Sequence, residues 1–145
     1  MSLHQTLQVF ELFDSALIDG QQVVDLFAAF PGVNASFKRV SGPKGRTDFV
    51  RIDIPGAQGK AGGGGEVVGS APTLGIIGRL GGIGARPTRI GMVSDADGAV
   101  AAVSSALKLA VMQTKGDVLA GDVIVTTHIC PDAPTRPHEP VDFMD

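Results

Sequence analysis

The sequence predicts an α/β fold: a mostly parallel sheet with a βαβ unit, preceded by two short helices and an antiparallel hairpin. Three observations carry this reading. Residues 73–78 and 90–93 are short continuous apolar runs, the pattern of strands covered on both faces. Residues 99–112 are rich in Ala and Leu, with Val100, Val103, Leu107, Ala110 and Val111 on one side, as a packed helix requires. Residues 122–127 form a third apolar run, and strand, helix, strand in that order makes a βαβ unit with a right-handed crossover.

The elements follow in order. Ser2-Leu3-His4-Gln5 has the form of a capping box, and Leu3, Leu7, Phe10 and Phe13 recur behind it at helical spacing. Asp19-Gly20-Gln21-Gln22 repeats the capping pattern before Val23, Val24, Leu26, Phe27 and Phe30, and Pro31-Gly32 stops that second helix. Residues 33–40 and 47–54 alternate as strands around a connection containing Gly42-Pro43, so an antiparallel hairpin is expected. Residues 56–70 include Gly62-Gly63-Gly64-Gly65 and are read as a mobile surface loop. Beyond residue 127, prolines at 131, 134, 137 and 140 recur every third position, a spacing that permits an extended polyproline-like segment. A sheet of this size is thin for one core. The expectation is a single domain over 1–145 that forms the front part of a longer protein or needs a partner copy to cover its sheet.

Composition excludes several functions. With no Tyr or Trp and seven Phe, the chain lacks the aromatic platforms that stack on single-stranded bases. A net charge of −3 provides no basic footprint for phosphate backbones, so no nucleic-acid partner is expected. One cysteine makes no internal disulfide, and no signal peptide or apolar run of membrane-spanning length is present, so the expected location is the cytoplasm, away from membranes.

The chemistry-bearing residues gather at two joints. Gly91-Met92-Val93-Ser94-Asp95-Ala96-Asp97-Gly98 reads as a strand entering a helix, with two carboxylates between them. His128-Ile129-Cys130-Pro131-Asp132 follows the next strand. Ligands of open α/β sheets bind at the carboxyl ends of parallel strands. Asp95, Asp97, His128 and Asp132 supply oxygen and nitrogen donors suited to a divalent metal, zinc or manganese. One acid at a helix start is explained by capping, whereas two acids and a hydroxyl within four residues exceed that need. His128 is the best proton-transfer candidate, and Cys130 reads as an inert thiol. Arg79 and Arg86 offer guanidinium groups for a substrate carboxylate, and His138 and Glu139 lie in the Pro-rich segment that can fold back over the strand ends. The glycines of residues 78–87 do not form a dinucleotide fingerprint, because no helix follows at once.

Thr73-Leu74-Gly75-Ile76-Ile77-Gly78-Arg79-Leu80-Gly81-Gly82-Ile83-Gly84-Ala85-Arg86-Pro87, Gly91-Met92-Val93-Ser94-Asp95-Ala96-Asp97-Gly98-Ala99 and Val123-Ile124-Val125-Thr126-Thr127-His128-Ile129-Cys130-Pro131 resemble a bacterial and archaeal family of uncharacterised proteins, the domain of unknown function eleven-seventy-seven. That resemblance covers nearly the whole chain and implies no activity. The layout is similar, more distantly, to the dinuclear zinc exopeptidases. Carried over by position, their metal-bridging Asp would be Asp95 and their third cluster would fall at Thr127-His128. Their first cluster would fall at Arg79-Leu80-Gly81, where neither the His nor the Asp is present, and their Glu pair is absent too. Either a metal site is rebuilt from His128, Asp132 and His138, or it is lost.

The expected function is metal-dependent hydrolysis of an amide or peptide bond in a small molecule or short peptide, by a homo-oligomer. Two alternatives stand beside it. One is a non-catalytic binding or assembly module. The other is a metal-free, racemase-like enzyme for a small carboxylic acid: Leu74-Gly75-Ile76-Ile77-Gly78 is similar to the first strand of the aspartate/glutamate racemases, but those use two cysteines and this chain has one. Whether the chain is an enzyme at all is left open by its residues.

Overall fold

The computed structural model describes residues 2–43, 45–61, 69–80, 82–86, 91–131, 133–136, 139–140 and 143–144, with the backbone alone for 82–86, 93–94, 133–136 and 143–144. The order is α1 (Leu3–Phe13), α2 (Gly20–Asp25), β1 (Asn34–Gly42), β2 (Gly45–Ile54), β3 (Leu74–Ile77), β4 (Gly82–Arg86), β5 (Met92–Ser94), α3 (Asp97–Thr114), β6 (Val123–Ile129), β7 (Ala133–Arg136) and β8 (Phe143–Met144). The mixed α/β class agrees with the sequence reading. The sheet does not: it is mostly antiparallel.

In the main sheet the strands run β1-β2-β6-β3. The β1–β2 hairpin is regular from Asn34↔Asp53 to Gly42↔Gly45, as its alternation implies. β2 then pairs antiparallel with β6, from Asp48↔Ile129 to Ile54↔Val123. Only β3 and β6 are parallel, from Leu74↔Val123 to Ile77↔Thr126. β5 was expected beside β6, but it pairs antiparallel with β4 in a second set of strands ordered β5-β4-β7-β8. The Gly-rich run between β3 and α3 thus doubles back on itself. Its strands bond to each other and to the Pro-rich tail, and β3 takes the place beside β6. The Pro-rich tail also contributes a strand, β7, parallel to β4.

All three helices lie on one face of the main sheet. Val50, Ile52 and Ile54 of β2 and Val123, Val125 and Ile129 of β6 point into a core shared with Val103, Ala106, Leu107 and Ala110 of α3. β6 is buried at alternate positions only, and Ile77 of β3 is 86% exposed. The expectation that these strands are covered on both faces is therefore overturned. By register, Phe49 and His128 share the open face, as do Arg51, Thr126 and Ile77.

Two helix starts differ from each other. Asp19 caps α2 by accepting from the Gln22 amide at 3.1 Å, as its spacing implies. Ser2 makes no side-chain cap bond, and Gln5, expected to reach back to it, is buried. The apolar residues read from α1 also face differently from expectation: Phe13 is buried with Val9, whereas Leu3, Leu7 and Phe10 lie in solvent.

Both described ends of the Gly-rich segment 56–70 are tied down. The buried Asp122 carboxylate accepts from the Gly56 and Ala61 amides, each at 2.9 Å, and Ala71 donates to the Gln58 carbonyl at 3.0 Å. Of the segment 56–70 read as a mobile loop, residues 62–68 lie outside the described residues. No helix among the described residues is long and apolar enough to cross a membrane.

Candidate functional site

The carboxyl end of the parallel pair is built on two glycines. The Gly78 amide donates to the Thr126 carbonyl at 2.8 Å, which carries the β3–β6 ladder one residue past the strand. A methyl group on Gly78 would collide with the Gly98 carbonyl and the Ala102 side chain. One on Gly98 would meet the Arg79 carbonyl at 2.6 Å. The first turn of α3 therefore lies directly against the end of β3, with Arg79 exposed beside it.

Asp95 and Asp97 flank this contact, and both are exposed. Asp95 has φ 49°, in the left-handed region that non-glycine residues seldom occupy and that Asp tolerates better than most. The residue in the cap position is Ala96, and α3 has no side-chain cap bond. The capping explanation for the Asp95 carboxylate is thus not met, while Asp97, in the first turn, suits the helix dipole.

His128 lies on the open face of the sheet, its ring centroid 6.2 Å from that of Phe49. Ser36, Lys38, Arg51, Ile77 and Thr126 join these two around a shallow cavity of about 460 Å³. Cys130, just past β6, lies 3.3 Å from the Thr47 hydroxyl. Glu139 is exposed. The Arg86 side chain, Asp132 and His138 lie outside the described residues.

Arg79, Asp95 and Asp97 thus belong to one joint, and His128 belongs to the sheet face. Among the described residues, no three of His, Cys, Asp and Glu form a group that could hold a metal. Asp95 and Asp97 are hard oxygen donors by type, suited to a hard ion if further donors join them.

Sequence reasoning missed a perturbed carboxylate, Asp48. It is fully buried, accepts from Arg39 Nε at 2.7 Å and Nη2 at 2.8 Å, and accepts from the Gly20 amide at 2.9 Å. These Arg39 hydrogen bonds hold its carboxyl below the ordinary value of 3.8 against the opposing effect of burial, with the Gly20 amide assisting. The signal was present in the alternation. Asp48 falls on the same side of β2 as Val50, Ile52 and Ile54, and an acid on a core face implies a buried partner.

A glutaminyl cyclase from an Acidobacteriales bacterium, known from its crystal structure, is similar in fold at 13% sequence identity and a TM-score of 0.46. The alignment covers 88% of this chain and 42% of that one, so the chain spans less than half the length of that protein. No curated protein matches the sequence. A family profile does match, over residues 38–145, and the chain accordingly belongs to DUF1177, a family described as protein of unknown function.

Proposed function

We propose that the joint between β5 and α3, against the end of β3, is the ligand site of a hydrolase acting on an amide or peptide bond. The observation that carries this reading is the Asp95 carboxylate: held by a left-handed backbone, exposed, and unused as a cap. Arg79 beside it receives a substrate carboxylate, with Arg86 as a second guanidinium. His128 is the proton-transfer candidate. The metal-dependent form of the reading needs further donors beside Asp95 and Asp97, and it assigns His128, Asp132 and the Pro-rich segment's His138 and Glu139 to that end of the sheet.

The test is the metal content of the purified chain by plasma mass spectrometry, for the parent and for Asp95→Asn. Asn tolerates the left-handed conformation, so stability should fall by about 1 kcal/mol or less. Near-stoichiometric zinc or manganese that disappears in Asp95→Asn is the expected result, followed by a screen of dipeptides and amides. A folded parent without metal, or a variant that keeps its metal, sinks the metal-dependent reading.

A second reading rests on a different observation, the open sheet face. There Lys38, Arg51 and His128 surround the apolar Phe49 and Ile77, a composition suited to a small acid with an apolar part. A metal-free chain that binds carboxylic acids, and loses them in Lys38→Glu, would favour this binding module.

A further inference from the structure

Helix α1 carries two apolar stripes. Gln5, Val9 and Phe13 face inward, with Val9 and Phe13 in the core that α3 also builds. Leu3, Leu7 and Phe10 are 58%, 52% and 49% exposed. Their spacing of four and then three residues aligns them along one side of the helix, the arrangement of a helix–helix seam. Leu17, four residues past the helix, is exposed as well. Single exposed leucines need no explanation, but an aligned series does.

The charges beside the stripe select its partner. His4 and Glu11 follow Leu3 and Phe10 by one residue each, so they flank the seam on the same side, seven residues apart. Residues 1–37 contain no Lys or Arg, which removes the cationic face that an interfacial membrane helix uses. α1 itself likewise carries no Lys or Arg to draw an acidic peptide, and Lys108 of α3 borders it only on the side of Ser2 and Thr6. In an antiparallel helix pair, a two-fold axis near Leu7 sets Leu3 against the partner subunit's Phe10. The same axis brings Leu7 onto its own copy and His4 opposite the partner subunit's Glu11. The stripe is therefore complementary to itself in shape, with a His4–Glu11 polar pair at each end.

We infer that the outer face of α1 is a homodimer interface in which two copies of this chain pair α1 against α1 in antiparallel fashion. The interface is separate from the strand-end joint and does not depend on the hydrolase reading. Eleven residues make a helix roughly 16 Å long and about 10 Å wide. That footprint is well below the ~800 Å² per partner of a standard stable interface. The dimer is accordingly weak, and its population rises with concentration.

Sedimentation velocity of the full chain, from about 5 µM to about 500 µM, tests this at order-of-magnitude spacing in the range where weak pairs dissociate. A monomer that becomes a dimer as concentration rises is expected. Leu7→Glu should hold the chain monomeric across the whole range without shifting its thermal unfolding. Glu11→Lys should weaken the dimer, and His4→Glu combined with Glu11→Lys should restore it. A monomer at every concentration overturns the inference. So does a dimer that survives Leu7→Glu, which would place the contact elsewhere, as on the open sheet face. Flotation of the monomer with phosphatidylcholine vesicles, lost in Leu7→Glu, would also overturn it by making the stripe a lipid contact.

Discussion

At Asp48, one residue couples the hairpin to α2. Its carboxylate joins the Arg39 guanidinium of the neighbouring strand to the first amide of α2, and Asp19 adds a longer contact to Arg39 at 3.4 Å. The folded chain holds the Asp48 carboxyl below 3.8, whereas the unfolded chain returns it to about 3.9. The folded state therefore binds fewer protons in acid. The stabilisation is present above the unfolded value and is lost as pH falls through the folded one. Urea unfolding of the parent should weaken below about pH 4. Asp48→Asn should cost about 2 kcal/mol at neutral pH, because Arg39 and the Gly20 amide lose a charged acceptor. The variant should also be less sensitive to acid, and parallel pH dependences for the two proteins would refute this account. At the same scale, Asp95 was legible as a candidate from its crowding with Asp97, but its left-handed backbone was not, since nothing local demands it.

At the scale of elements, α3 and the hairpin were the most legible parts. Each has one dominant pattern: an Ala/Leu-rich helical face in one, alternation with a Gly-Pro turn in the other. The facing of α1 was not legible, because two stripes compete at nearly the same spacing and only the position of α3 decides which is covered. The contact between α3 and β3 depends on the absence of side chains at Gly78 and Gly98. Gly78→Ala should push the first turn of α3 away from β3 and cost about 1–3 kcal/mol, as overpacking does. Chemical denaturation measures the loss, and unchanged stability would mean the helix shifts freely. The same substitution displaces Asp95 and Arg79, so any ligand affinity at that joint should fall with it.

For the whole molecule, the unequal covering of the main sheet is the dominant feature. Helices bury one face, and the other exposes Phe49 and Ile77 with His128 among them. Ile77→Lys should therefore change stability by no more than about 0.5 kcal/mol, as expected for an exposed site. A large loss in thermal unfolding would mean that this face is covered in the folded protein. The local pattern of this chain dictated its α/β class, its antiparallel hairpin and its best helix, and it singled out Asp95, Asp97 and His128 as candidates. Strand neighbours and covered faces came from packing. Alternation assigns each strand a face but does not name its partner, so β6 could accept β2 and β3 where β5 was expected. The burial of Asp48 and the exposure of Leu7 have the same cause, since each depends on residues distant in sequence that meet only when the chain folds.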